Sequence, residues 1–310
     1  MKFVMAVSSE QHEITCRACG AKVRVEPLHR TARCPYCDSP SVIDRPATPD
    51  QPDPVFVVGF SVDRNEATSR IQRFLAGKKL AHPGLSGKAA EKVSGVYLPT
   101  YLYSAVASSA YDATIGEDYY VTDLSRDSKG RVSVKRKRKT EYYELGGPHH
   151  SYIGDVVVTA SRGIPNAEVE AIEPFDLGGL RRFSSSMVSG WASEEPSLTR
   201  EECLQLARRE STARIRDVVR RFMPGDRCRF LESRTALSEE AVDLVLLPVW
   251  VFAIRYREDR PPIRLLVNGQ TGKVWGKIPV SWKKIAVIAA VVLGLVAVPV
   301  ILGLVASLFR

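Results

Sequence analysis

The order of apolar and polar positions predicts a folded domain between residues 55 and 280. Val55 to Phe60 is a short apolar run of strand length. Asp63 then offers a side-chain oxygen to open a helix, with Glu66 three residues on as its capping partner. This helix is expected to reach about Ala76 and stop at Gly77. Val96 to Ala105 is β-rich and reads as a strand, as do Arg131 to Leu145 and Tyr152 to Ala160, with Lys129-Gly130 at a turn. Thr199, partnered by Glu202, opens the longest helix, and Pro224-Gly225 ends it. Its expected buried face is Leu204, Ala207, Ser211, Ile215, Val218 and Phe222. Arg227 to Glu232, Leu244 to Tyr256, Ile263 to Val267 and Gly272 to Ile278 complete the strands, and Asn268-Gly269 is the strongest turn signal. The fold class expected is α+β, a mixed domain with mainly antiparallel strands.

An internal echo accompanies this pattern. Leu98-Pro99-Thr100-Tyr101-Leu102-Tyr103 matches Leu247-Pro248-Val249-Trp250-Val251-Phe252 in type, and each run follows a capped helix. Gly59-Phe60-Ser61 and Gly190-Trp191-Ala192 precede the two helices. Either a strand–helix–strand unit is duplicated, or Pro and aromatics recur by chance at strand starts, where Pro is tolerated.

The flanks differ in kind. Residues 1–12 form an N-terminal tail whose apolar run, Phe3 to Val7, is too short for a secretory core. Residues 13–45 carry two Cys-x-x-Cys pairs, and residues 46–54 hold four prolines, a semi-rigid linker. Residues 281–310 are expected to be a membrane anchor. Ile285 to Phe309 is 25 residues without a charge, and 16 of them are Leu, Ile, Val or Phe. As a helix the run would span ~37 Å, enough for a ~30 Å hydrocarbon core.

Orientation follows from charge. Lys273, Lys277, Lys283 and Lys284 precede the span with no acid among residues 273–284, and only Arg310 follows it. The positive-inside rule places the large domain in the cytoplasm of a single-pass cell-membrane protein. Trp275 and Trp282 are positioned for the head-group level.

Cys16-x2-Cys19 and Cys34-x2-Cys37, separated by 14 residues, have the spacing of a four-thiolate zinc ribbon. Each pair forms a knuckle that aims two thiolates at one point, and two knuckles complete a tetrahedron. With all four positions filled by protein, the expected cofactor is one structural Zn2+, whose binding would supply most of the folding free energy of so small a module. A reducing cytoplasm suits these thiols. Six cysteines in 310 residues are too few for a disulfide scaffold, and Cys203 and Cys228 are expected to be buried thiols.

The chain carries 44 Lys and Arg against 35 Asp and Glu, a net +9. Most of the excess lies in residues 126–139, which hold eight cations (Arg126, Lys129, Arg131, Lys135, Arg136, Lys137, Arg138 and Lys139) and one acid, Asp127. Three readings stay open for this stretch: an anionic-lipid contact, a nucleic-acid phosphate contact, or a solvated hairpin whose lysines discourage edge pairing. No catalytic motif occurs. Gly269-Gln270-Thr271-Gly272-Lys273 lacks the spacing of a phosphate loop, and His149-His150, after Gly146-Gly147-Pro148, reads as a loop.

Cys16-x2-Cys19 with Cys34-Pro35-Tyr36-Cys37, Gly95-Val96-Tyr97-Leu98-Pro99, Leu247-Pro248-Val249-Trp250, and Val267-Asn268-Gly269-Gln270-Thr271-Gly272-Lys273-Val274-Trp275-Gly276 before a terminal apolar span carry a resemblance over nearly the whole chain. It resembles the bacterial transcription-factor-IIB-type zinc-ribbon-containing membrane proteins. Asp38 departs from that pattern, where glycine is usual, and the basic stretch is richer in charge. The resemblance implies a ribbon and a span but no transcription role. Some such proteins carry a primosomal-helicase label, which the missing phosphate loop argues against here. The resulting expectation is a non-enzymatic binding or scaffold module at the membrane, with a protein partner at the ribbon and anionic lipid at the basic hairpin. The alternative is nucleic-acid binding through ribbon and hairpin.

Overall fold

The computed structural model describes residues 12–15, 22–25, 31–33, 40–42, 52–85, 87, 90–126 and 132–282, with scattered positions between 284 and 297. Cys16, Cys19, Cys34, Cys37, Arg131, most of the proline linker and most of the C-terminal apolar run lie outside these residues. Among the described residues no helix is long and apolar enough to cross a membrane.

Two short antiparallel hairpins come first. Strand β1 (His12–Thr15) pairs with β2 (Lys22–Val25), and β3 (Thr31–Arg33) pairs with β4 (Pro40–Val42). The main domain follows: β5 (Phe56–Val57), α1 (Arg64–Ala76), β6 (Lys92–Arg126), β7 (Val132–Thr159), α2 (Asn166–Ile172), β8 (Arg181–Arg182), β9 (Ala192–Ser193), α3 (Arg200–Phe222), β10 (Arg227–Ile254), β11 (Ile263–Asn268) and β12 (Val274–Gly276). Its sheet has eight strands and is mostly antiparallel. β6 lies at the centre, between β7 and β10, and β10 is bordered by β11 and β5.

Both long helices start as their sequences demand. Asp63 accepts from the Glu66 amide at 2.8 Å, and Thr199 with Glu202 forms a reciprocal capping box. At the root of the sheet, α1 and α3 cover one face and α2 the other. Tyr101, Tyr103, Val156 and Val158 pack under α3. Leu98, Val157, Leu247 and Leu266 pack under α2, and Trp250, Phe252 and Leu265 under α1.

The sequence expectations need correcting in four places. The strands expected at 131–145 and 152–160 are one strand, β7, which runs through Gly146-Gly147-Pro148-His149-His150. These residues are therefore not a loop. Among the described residues β7 is an edge strand pairing only with β6, so Pro148 sits opposite Ala110 without interrupting a second ladder. The strands expected at 227–232 and 244–256 are likewise one strand, β10, with register shifts at Arg229/Glu232 and Ser238/Ala241. The polar stretch between them hid the strand, because one face of the sheet there is open to solvent. The buried stripe of α3 is Cys203, Ala207, Ser211, Ile215 and Val219, while Val218 and Phe222 are exposed. A steady i+4 row follows the twist of a long sheet better than the alternating row expected. Finally, Cys203 is buried as expected, but Cys228 is exposed.

The two halves of the domain repeat one hydrogen-bonding arrangement. β5 runs parallel to β10 with Phe56 and Val57 beside Val245 and Leu246, and β9 runs parallel to β6 with Ala192 and Ser193 beside Val96 and Tyr97. Ser61 and Val62 donate to the Gly269 carbonyl, and Ser197 and Leu198 donate to that of Ala160. Gly269 donates to Pro248, and Ala160 to Pro99. Leu98 lies directly opposite Leu247, so the two echoing runs are antiparallel neighbours. The Phe60 and Trp191 echo is not part of this equivalence, since Phe60 follows its strand and Trp191 precedes its own. The two rings stack on each other instead, at 4.1 Å.

Candidate anionic-surface site on the β arm

A helix of 23 residues covers roughly 35 Å of sheet. Where α3 stops, its shelter stops too. Pro224 and Gly225 turn the chain, the Asp226 amide donates to Gly116, and β10 begins at Arg227 opposite Gly116. Gly225 has φ +81°, and a Cβ there would lie 2.6 Å from Ile115 Cγ2, so glycine is required at this corner. Beyond Gly116 neither α3 nor β10 continues. β6 and β7 go on alone for another ten residue steps, paired from Glu117–Glu141 to Arg126–Val132. The result is a two-stranded arm on the order of 30 Å long.

The base of the arm is pinned by Asp118. The Thr140 hydroxyl donates to Asp118 Oδ1 at 2.5 Å, Arg138 reaches Oδ2 at 2.6 Å, and Arg227 reaches Oδ1 at 3.3 Å. These partners, Thr140 first, hold the Asp118 carboxyl below the usual carboxylate range. The Asp118 amide in turn donates to Asp226, at 2.9 Å.

Strand alternation sorts the basic run into two faces. Lys135, Lys137 and Lys139 share one face with Tyr119, while Arg136 and Arg138 share the other with Tyr120, Leu124, Val132 and Val134. All five cations are exposed. Arg136 lies over the Tyr120 ring at 5.4 Å. Among the described residues no carboxylate forms an ion pair with Lys135, Arg136, Lys137 or Lys139. The apolar side chains nearest the end are open to solvent, with Leu124 68% and Val134 63% exposed. The arm therefore runs from a neutralised base into a stretch where exposed cations, two tyrosines and the exposed aliphatics Leu124, Val132 and Val134 stand side by side.

Of the residues expected to form this site, Lys135, Arg136, Lys137, Arg138 and Lys139 are brought together, and Arg131 lies outside the described residues. Tyr119, Tyr120 and Leu124 were missed. They lie on the opposing strand, and only the register shows them facing the cations. Residues 119–124 read Tyr119-Tyr120-Val121-Thr122-Asp123-Leu124, with no alternation to mark a two-faced strand.

Away from the arm, Glu173 and Glu210 gather on Arg214, and Glu210 shares Asn166 with Glu170, but the cysteines and histidines do not converge. Cys203 Sγ faces the Thr159 carbonyl at 3.4 Å, and burial pushes its thiol up to about 12, which makes it unreactive. His150 Nδ1 is 3.1 Å from Ser108 Oγ, while His149 packs against Phe222. Among the described residues no three His, Cys, Asp or Glu side chains are grouped to hold a metal ion.

Comparison with known proteins gives one distant relationship. No family model matches the chain, and no solved structure matches it. The chain is 23% identical over 245 residues to the uncharacterized protein YdjG of Bacillus subtilis (strain 168). The match covers 75% of this chain and 66% of that relative, just under two thirds of its length. The chain is thus a distant homologue of an uncharacterised protein, with no family assigned.

Proposed function

We propose that this protein is a membrane-tethered binding module that faces the cytoplasm and uses its β arm to hold an anionic surface. The observation that carries the reading is the arm itself. The fold repeats one unit twice, and we read the repeat as an internal duplication. The hairpin equivalent to β6–β7 is β10–β11, which closes over residues 255–262 with no arm. The domain does not need the extension to complete its core, so the arm answers to something outside the fold. Exposed aliphatics and tyrosines interleaved with cations suit a lipid interface, where long cationic side chains reach headgroups while apolar ones enter the layer below.

The N-terminal hairpins support a zinc ribbon as the second binding element. In each, a six-residue connection joins the strands, residues 16–21 and 34–39, and cysteine stands first and fourth in both. One structural Zn2+ on Cys16, Cys19, Cys34 and Cys37 would fix a rigid surface for a protein partner. The apolar run 285–309 is the proposed single span.

A second reading, nucleic-acid binding, draws on the arm's width, since a two-stranded ribbon with cations on both faces fits a major groove. The test uses the full chain in nanodiscs of neutral phosphatidylcholine. β6 follows a path of at most about 115 Å from Lys92 to Arg126, so the arm can meet a separate surface. Capture of phosphatidylglycerol vesicles, lost when residues 117–141 are replaced by a short turn, supports the lipid reading. Capture of duplex DNA without vesicle capture refutes it in favour of the second.

A further inference from the structure

A second cationic surface lies at the other end of the molecule, where the chain leaves the domain for its apolar C-terminal run. The segment after α1 and the segment before Ile285 are strapped together. Ala81 bridges Val280, the His82 amide donates to Pro279 at 2.9 Å, and the Ser281 amide donates to Leu80 at 2.9 Å. Lys284 Nζ donates to the carbonyls of Lys79 and Ala81, at 3.0 and 3.1 Å. The C-terminal run therefore starts from a fixed point on the domain rather than from a loose tether.

Two cavities flank this strap. One, about 510 Å³, is lined by Lys78, Lys79, His82 and Lys284 above the aliphatic Leu75 and Leu85. The other, about 480 Å³, is lined by the same Lys78 and Lys79 together with the aliphatic Leu80, Ile278 and Val280. Leu80, Val280 and Trp282 are exposed, Trp282 by 80%. The chemistry is one-sided. Neither residues 76–90 nor residues 260–310 contain a single Asp or Glu. Lysines around a polar cavity, an exposed Trp and aliphatics beside it, and an uncharged run of 25 residues that follows directly match the layers of a bilayer surface in order.

We propose that this surface seats the phosphate headgroup of an anionic glycerophospholipid, with Lys78 and Lys79 as its ligands and Trp282 in the interfacial layer. The inference rests on the membrane-anchored reading, and it assigns that reading a lipid preference and a fixed footprint. Lys284 is a positioning residue, since its ammonium is spent on two carbonyls, whereas among the described residues Lys78 is held only over the Phe74 ring at 4.7 Å and keeps its N–H donors for a phosphate.

The test is native mass spectrometry of the full chain released from nanodiscs of mixed phosphatidylcholine and phosphatidylglycerol, alongside Lys78→Ala/Lys79→Ala. Both side chains are exposed, so the double variant is expected to fold, and an unchanged unfolding midpoint checks this. The expected result is selective retention of phosphatidylglycerol by the wild type, reduced roughly 30-fold in the variant, the factor two interfacial lysines carry together. Trp282 emission is expected to be quenched by brominated lipid, and the quenching to vanish in Trp282→Phe. Three outcomes overturn the site while leaving the anchor standing: retention of both lipids alike, an unchanged preference in the double variant, or no Trp282 quenching. A chain that leaves the nanodisc carrying no lipid overturns the anchored reading and the site together.

Discussion

Neutralising the arm is the most discriminating perturbation. Lys135, Arg136, Lys137 and Lys139 become Gln, and Arg138 is kept because it pairs with Asp118 at the base. All four replaced side chains are exposed and lie in β7 beyond the end of α3. Each substitution is therefore expected to change stability by less than about 0.5 kcal/mol. A cation near an anionic leaflet contributes about 1 kcal/mol, so the four together contribute ~4 kcal/mol, close to a thousandfold in affinity. The assay is capture of phosphatidylglycerol vesicles by the full chain in neutral nanodiscs, followed over a salt series. Wild-type capture is expected to weaken steeply as the screening length falls from ~10 Å at 0.1 M to ~3 Å at 1 M salt. Calorimetric unfolding of the same samples is expected to coincide. A loss below tenfold, with folding intact, would falsify the claim that these cations form the contact. If duplex DNA binds instead, a log–log salt slope that becomes shallower by about 0.9 for each cation removed would identify phosphate contacts.

The remaining predictions concern the fold that carries the arm and the metal. Asn268 is fully buried; it donates to Ile172 and Pro174 and accepts from the Gln270 and Thr271 amides. Asn268→Ala strips four partners at once and is expected to cost about 3–5 kcal/mol, read as a lowered urea midpoint; a loss under 1 kcal/mol would show that water replaces the amide. A Cβ at Gly95 would lie 2.5 Å from the Trp191 ring, so Gly95→Ala is expected to destabilise by about 1–3 kcal/mol, and an unchanged midpoint would mean the ring moves freely. Burial raises the Glu173 carboxyl from 4.5 to about 7, against the pull of Arg214. Because the folded value is the higher, the stabilising contribution is fully present below pH 4.5 and is lost as pH rises through about 7. Glu173→Gln should flatten that part of the stability profile, and a profile unchanged between wild type and variant would remove Glu173 as its source. The full chain is expected to hold one zinc per molecule, and Cys34→Ser to lower the metal content without moving the unfolding midpoint of residues 55–280; a metal-free wild type would dismiss the ribbon.

The sequence by itself determined what depends on local chemistry. Asp63 with Glu66 and Thr199 with Glu202 set both helix starts, because a cap needs only four residues. Asn268 and Gly269 marked a real turn for the same reason, and the echoing runs Leu98–Tyr103 and Leu247–Phe252 lie in paired strands whose neighbouring hydrogen bonds are placed alike. The candidate site was only half legible. A run of cations is visible in any listing of residues, but what it faces is a matter of register, and register is fixed across strands. Tyr120 meets Arg138 only because β6 and β7 pair without a break from Ala105 to Arg126.

Only the tertiary structure decided the length of the strands. Polar stretches such as Ser233–Asp243 read as connections, yet they are strand because α3 buries one face of the sheet while the other meets water. The same helix decides where the arm begins. Its 23 residues shelter the sheet as far as Ile115, and beyond that point no neighbour among the described residues buries either face. The arm's exposure follows from the helix's length, a relation between segments about a hundred residues apart that no local pattern encodes.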